Sequence, residues 1–268
     1  MRASARARRA SDTRPAQLLA RSGLAARGII WILIGWVAIS VALGHSSHQA
    51  DQQGALQMLA GEPYGLVSLW LLGIGFAGYA LWRLSEAAFG VTGEGTGAGA
   101  RLKALGSAVV YGFFAYLTFE IIAGHHSNQT RKEQDLTAKL MHDGVGGRWL
   151  VGVAGVIIVV AGIVLIIGGV RRKFLRYLQT AQMSPRTRRV VERLGVVGTV
   201  ARGVVIGLAG VGVIDAAVTF KPAKAGGLDK ALLTLRNQPF GEFLLIIAAL
   251  GLITFGIYCL CEARWRKV

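Results

Sequence analysis

The stretch GALQMLAGEPYG at residues 54–65 returns as KALLTLRNQPFG at residues 230–241, residue for residue and without a gap. A third version, LTAKLMHDGVGG at 136–147, carries a small insertion and lacks the proline. Each copy lies between two long apolar runs, and the runs repeat as well. SGLAARG (22–28) matches GTVARG (198–203) and, more loosely, GSAVVYG (106–112), while YALWRLSEA (79–87) matches FGIYCLCEA (255–263). Self-similarity over a long fixed period marks tandem supersecondary units. The chain reads as three copies of one unit: an apolar helix out, a loop with a short amphipathic helix, and an apolar helix back.

Composition says where the helices sit. Hydrophobic residues make up 53% of the 268 and charged ones only 16%, with a mean hydropathy of +0.50. Six apolar stretches lie near 22–44, 65–88, 104–124, 148–170, 195–218 and 241–262, each near the roughly 20 residues a helix needs to cross a bilayer. They are continuously apolar and do not alternate, which excludes a transmembrane β-barrel. Backbone groups in lipid must be satisfied within the segment, so these runs are helices. The fold expected is all-α, a polytopic membrane protein with six transmembrane helices in three tandem two-helix repeats.

The expected boundaries are a disordered basic tail (1–21), a first unit (22–90), a Gly-rich linker (91–103), a second unit (104–176), a basic connector (177–193) and a third unit (194–268). Two spans per unit give all three units one orientation. Parallel repeats of this kind surround an axis along the membrane normal, so a pseudo-threefold bundle is expected.

The formal charge of +16 points to topology, not nucleic acid. With the N-terminus on one side, that side carries 22 of the 30 Lys and Arg residues. The positive-inside rule places both termini in the cytoplasm of a bacterial inner membrane. The basic surface is then an attraction for anionic lipid headgroups. Cys259 and Cys261 face a reducing compartment and point to different helix faces, as apolar filler. Ala42-Leu43-Gly44 resembles a signal-peptidase site, but the first apolar run has internal counterparts in the later units and reads as a retained helix.

Arg27 and Arg202 fall early in the outgoing helices of units one and three; Glu86 and Glu262 fall late in the matching return helices. In the middle unit Tyr111 and Gly168 replace both partners together. This suggests an Arg–Glu pair closing each outer hairpin, Arg27 with Glu86 and Arg202 with Glu262, because a lone charge near lipid is costly. The alternative is that each side chain snorkels to headgroups.

Two carboxylates, Glu120 and Asp215, lie within apolar runs, about 6–8 Å from the outer helix ends at 1.5 Å per residue. Intramembrane acids are candidate proton, ion or substrate contacts; at this depth they also fit solvated interfacial groups. All five histidines, His45, His48, His125, His126 and His142, fall on the outer side, and GHSSHQ (44–49) aligns with GHHSNQ (124–129). Imidazoles there could hold a metal, sense pH, or serve as ordinary polar groups at the interface. RRKFLRYL (171–178) reads as a basic amphipathic extension on the inner membrane surface. Arg148, at the start of a return helix, faces headgroups or Asp143. GEGTGAG (93–99) has no phosphate-loop Lys-Ser/Thr and is a flexible linker. Neither a catalytic set nor a cofactor fingerprint is present.

Together the Gly-Leu-Ala-Ala-Arg-Gly opening (23–28), Gly54-Ala55-Leu56 through Pro63-Tyr64-Gly65, and Glu262-Ala263-Arg264-Trp265 resemble the bacterial membrane family catalogued as domain of unknown function 1206. The resemblance implies three tandem two-helix units over nearly the whole chain and implies no activity. The middle unit departs most from the pattern. The function expected is a non-catalytic accessory or interaction protein of the inner membrane, with a membrane-protein partner or self-association and no cofactor. The alternative is a small transporter or channel using Glu120, Asp215 and the outer histidines.

Overall fold

A computed structural model of the chain describes residues 14–45, 49–90, 97–124, 129–142, 145–221 and 224–266. Six helices are long and apolar enough to cross a membrane: α1 (Arg14–Ala42), α3 (Gly65–Phe89), α4 (Ala98–Ile122), α6 (Val145–Val170), α7 (Pro185–Thr219) and α9 (Gly241–Trp265). Three short helices join them in pairs on one side: α2 (Gln52–Ala60), α5 (Gln129–His142) and α8 (Leu228–Arg236). This is the all-α, three-unit architecture read from the repeats. Helix α1 begins inside the expected tail. Helix α7 begins inside the expected connector, where Ser184 caps it by accepting from the Thr187 N–H. At 35 residues it is about 52 Å long at 1.5 Å per residue, so its first turns stand clear of a hydrocarbon core about 30 Å thick.

The closing glycine of the repeated loop has a steric cause. A Cβ on Gly65 would sit 2.0 Å from the Leu59 carbonyl oxygen, and one on Gly241 would sit 1.9 Å from that of Arg236. The chain turns directly over the end of its short helix there, and only glycine lets the backbone pass.

The most extensive helix contacts run between units: α3 with α4, α6 with α7, and α9 with α1. Within units, α1 packs on α3 and α7 on α9. The six helices therefore lie around an axis in the order α1, α3, α4, α6, α7, α9. The symmetry shows atom by atom. A Cβ on Gly155 of α6 would fall 3.1 Å from the Gly210 carbonyl of α7; one on Gly35 of α1 would fall 2.7 Å from the Ala249 carbonyl of α9; one on Gly73 of α3 would fall 3.1 Å from the Phe119 ring of α4. These are the same repeat positions at three interfaces. Small residues let helices approach closely in lipid, where no hydrophobic force drives them together.

The ring is not evenly closed. Among the described residues α4 and α6, the two helices of the middle unit, make no extensive contact. The tight seams lie between units. The α3–α4 seam is built from aromatics: Tyr79 and Tyr111 meet edge to face at 4.6 Å between centroids, and Phe76 stacks with Phe114 at 6.0 Å. Helix α6 has a mean hydropathy of 3.2 and is mostly unburied, so outside its seam with α7 it faces lipid.

RRKFLRYL forms a 3-10 turn, Lys173–Tyr177, whose basic side chains are exposed and whose apolar side chains pack against the end of α9. Leu178 is fully buried and pairs with Arg266, the Gln179 N–H donates to the Trp265 carbonyl at 2.8 Å, and Phe174 packs on Tyr258. Burial of its apolar residues against α9 outweighs their partition into headgroups. Arg172 anchors the turn through Glu192 at 2.5 Å. Arg148 differs from expectation. Its Nε and a terminal nitrogen donate to the Ala217 and Val218 carbonyls at 2.8 and 3.0 Å, and its guanidinium stacks on Phe220 at 4.1 Å. The last turn of α7 has unpaired carbonyls and a negative dipole end, and Arg148 caps both.

On the outer side, Asp51 caps α2 by accepting from the Gly54 N–H at 2.8 Å. Asp229 of α8 accepts from the Ala50 N–H at 2.8 Å, tying the first unit's loop to the third. Burial pushes the Asp229 carboxyl up from the ordinary carboxylate value, with the Ala50 N–H pulling the other way. Leu228, Ala231 and Leu232 bury the apolar face of α8, as their helical spacing predicts.

Candidate functional site

Arg27, Tyr111 and Arg202 occupy one repeat position on the three outgoing helices, and the ring brings all three to the axis. The Arg27 guanidinium lies 5.1 Å from the Phe255 ring centroid and 6.0 Å from that of Tyr111. That of Arg202 lies 4.8 Å from the same Phe255 ring and 5.0 Å from Trp31. Both cations therefore share one aromatic face-lining and are separated by no more than those two Phe255 distances combined. They act on each other electrostatically.

Neither arginine finds the carboxylate expected from the sequence. Glu86 is bound by Arg83 one turn earlier, at 2.7 Å, and Arg83 is held in turn by the Tyr79 hydroxyl at 3.0 Å. Glu262 is bound by Arg266 one turn later on its own helix, and both are buried. The expected Arg27–Glu86 and Arg202–Glu262 pairs give way because each acid has a nearer cation on its own helix, and the guanidiniums of Arg83 and Arg266 both lie over the Trp82 ring, at 5.0 and 4.9 Å. The Nε atoms of Arg27 and Arg202 are buried without a hydrogen-bond partner, while each residue as a whole is half-buried. Four guanidiniums thus share two carboxylates at this end of the bundle. Cation–π contacts offset part of the cost, typically about 0.5–2 kcal/mol each. They supply no ion-paired carboxylate to Arg27 or Arg202.

Beside this pair lies a cavity of about 830 Å³. It fills the space where α4 and α6 fail to meet, with α7 as its back wall and Ile158 as its contact on α6. Lys103 lines one part of it, Arg202 and Tyr111 line it further along, Gln52 and Thr137 lie near the short helices, and most of the remaining lining is apolar. At the repeat position of Tyr79 and Phe255 the middle unit has Ala161, so no ring fills the gap.

The other candidate residues do not converge on this chamber. Asp215 forms an ion pair with Lys224 at 2.7 Å, both half-exposed near the outer end of α7. Glu120 is half-buried near the outer end of α4. His45 and His142 are exposed, and among the described residues no three His, Cys, Asp or Glu side chains come together as a metal set would require. His48, His125 and His126, with residues 91–96 of the Gly-rich linker, lie outside the described residues, and from Ala98 the linker residues form the first turns of α4. Cys259 is buried and Cys261 half-buried, both as free thiols. The sequence signal for the central site was the Arg-to-Tyr exchange at 111, which marks one position shared by all three units.

A family described as Domain of Unknown Function (DUF1206) matches the chain three times, over residues 22–90, 102–172 and 197–266. "Uncharacterized protein YxxB" of Bacillus subtilis (strain 168) is 33% identical over 251 residues, covering 92% of this chain and 90% of the relative. No solved structure matches. Three successive matches, each spanning one out-and-back unit, place the chain in the DUF1206 family of membrane proteins.

Proposed function

We propose that the protein is a non-catalytic, multi-pass accessory protein of the bacterial cytoplasmic membrane, with both termini inside, that binds an anionic ligand between Arg27 and Arg202. One observation carries this reading: two guanidiniums whose buried Nε atoms have no hydrogen-bond partner stand together, and among the described residues neither forms an ion pair with a carboxylate. Uncompensated charge in or near lipid is expensive and marks ligand contacts, and planar guanidinium forks suit phosphate and carboxylate groups. The Asp215–Lys224 pair supports an interfacial structural role for Asp215 and so speaks against the transporter reading built on it.

The test is anion-dependent stability of the full chain in neutral detergent. A ligand that binds only the folded state adds about 2.7 kcal/mol at a hundredfold excess over Kd. Inorganic phosphate should raise the Tm of the wild type and leave the Arg27→Gln/Arg202→Gln double variant unmoved. Equal shifts in both proteins, or none in the wild type, would refute the reading. Orientation is tested separately. A cysteine placed at exposed His45, in a chain lacking Cys259 and Cys261, should react with an impermeant maleimide from outside the cell only.

A further inference from the structure

The cavity has a shape and polarity that narrow the ligand. Along α7 its lining runs from Arg202 to Val213, and along α4 from Lys103 to Phe114. Each span is about 16 Å at 1.5 Å per residue. Lys103 stands toward one end, and Arg202, level with Tyr111, lies about 12 Å further along at 1.5 Å per residue. Most of the wall around and beyond Arg202 is apolar, with Phe113, Phe114, Ile158 and Ile206 among its members, and Gln52 and Thr137 line it near the short helices. A soluble anion needs only the cations and gains nothing from an apolar trench of that length. The trench also faces sideways: α4 and α6 leave it open at the one seam where the ring does not close. Val109 and Val110 at its edge remain 66% and 47% exposed, so they present apolar surface to the bilayer.

Resting on the anionic-ligand reading above, we infer that the occupant is an anionic lipid of the surrounding bilayer. It enters sideways between α4 and α6, lays an acyl chain along the trench, and sets its phosphate-bearing headgroup against Arg202, with Arg27 behind. Charge and hydrophobicity are then both matched. The headgroup supplies the ion-paired partner that the two guanidiniums lack, and the chain covers side chains that the open seam leaves bare. A second helix, from another copy or another protein, would cover the apolar trench but bring no anion. That is why the unpaired charge favours lipid. Closure by α4 and α6 is not required, since the lipid itself completes the ring.

The test uses the full chain in nanodiscs of phosphatidylcholine alone or of equal parts phosphatidylcholine and phosphatidylglycerol, followed by native mass spectrometry after detergent release. The wild type should retain phosphatidylglycerol and shed phosphatidylcholine. Arg202→Gln should lower retention about tenfold, the scale of losing a charge-assisted contact, and Arg202→Lys should restore part of it. Gly106→Trp should also lower it, by filling the trench: a Cβ there meets no heavy atom within 4 Å, so the indole grows into open space. Val110→Trp repeats the plug from another wall position should Gly106→Trp fail to fold. If either folded plug retains phosphatidylglycerol like the wild type, the lipid sits elsewhere and the inference fails. If phosphate alone raises the Tm but phosphatidylglycerol is not preferred, the lateral lipid falls and the anion site stands. If neither binds, both fall. A dimer that dissociates in the plugged variants would assign the trench to a second copy and overturn the lipid reading.

Discussion

Replacing Gly28, Gly112 and Gly203 by alanine, one at a time, should change stability in opposite directions although the three are repeat equivalents. A Cβ on Gly28 would lie 2.8 Å from the Gly256 carbonyl and 2.9 Å from Leu260; one on Gly203 would lie 2.8 Å from Ile166 and 2.9 Å from the Gly162 carbonyl. Both clashes involve backbone, so the helices must part. Overpacking of this kind costs about 1–3 kcal/mol. A Cβ on Gly112 meets no heavy atom within 4 Å, so only the restriction of the unfolded chain remains, a gain of about 0.4–1 kcal/mol. That same gain accompanies the other two substitutions and trims their cost. The expected gap between Gly112→Ala and either partner is therefore about 1–3 kcal/mol, from about fivefold to over a hundredfold in the unfolding equilibrium. Unfolding by SDS in mixed micelles reads it directly, with Trp31 and Trp82 as buried reporters. Equal destabilisation at all three positions would show a ring as tight at α4 as at α1 and α7. The open space beside Gly112 at the α3–α4 seam would then be gone.

Double-mutant cycles should find coupling of about 0.5–3 kcal/mol between Glu262 and Arg266 and between Glu86 and Arg83. The Arg27–Glu86 and Arg202–Glu262 cycles should be additive; coupling there would restore the cross-hairpin pairs. Arg148→Ala should cost about 1–3 kcal/mol, from two hydrogen bonds made by a charged group and the helix-end charge they satisfy; an unchanged Tm would show that headgroups or water replace it. Asp229→Asn keeps an oxygen to accept the Ala50 N–H and removes the titration. Because burial raises the Asp229 carboxyl, the folded state holds its proton to higher pH than the unfolded chain. Stability from this group is fullest below the ordinary carboxylate value and declines as pH rises through the raised one. The variant's Tm should lack that decline, and a Tm lowered at every pH would mean the carboxylate itself is needed.

Spans, unit boundaries and the axial arrangement were legible because periodic apolarity and internal repetition both report backbone geometry. A repeat that turns over its own short helix must carry a glycine there, and Gly65 and Gly241 can be read from the motif alone. Side-chain partnership was less legible. Arg27 and Glu86 sit at matching depths on neighbouring helices, but depth says nothing of azimuth around a helix, and it was azimuth that gave Glu86 to Arg83 and Glu262 to Arg266. The connector at 171–178 left its packing open for a related reason. An alternation of basic and apolar residues describes a segment on a headgroup surface and a segment folded beneath a bundle equally well, and the choice falls to Tyr258 and Trp265, far away in sequence. The cavity left no local signal, since it arises from contacts that the middle unit does not make.

The middle unit's departures form one pattern. A threefold ring with arginine at every axial position would bring three guanidiniums together with no acid to spare, and Tyr111 removes one of them while keeping a ring for Arg27 to stack upon. With that arginine gone, the glutamate whose position Gly168 now holds would be a buried acid without a cation nearby, and it is absent too. Ala161, where the other units place Tyr79 and Phe255, then leaves the α6 side of the chamber without a ring at that position. Each change alone would leave a charge or a void; together they trade one closed hairpin for a chamber with two cations along its wall. The unit that looks most eroded by comparison with its neighbours is the one that makes room, and the two well-preserved units supply the charge.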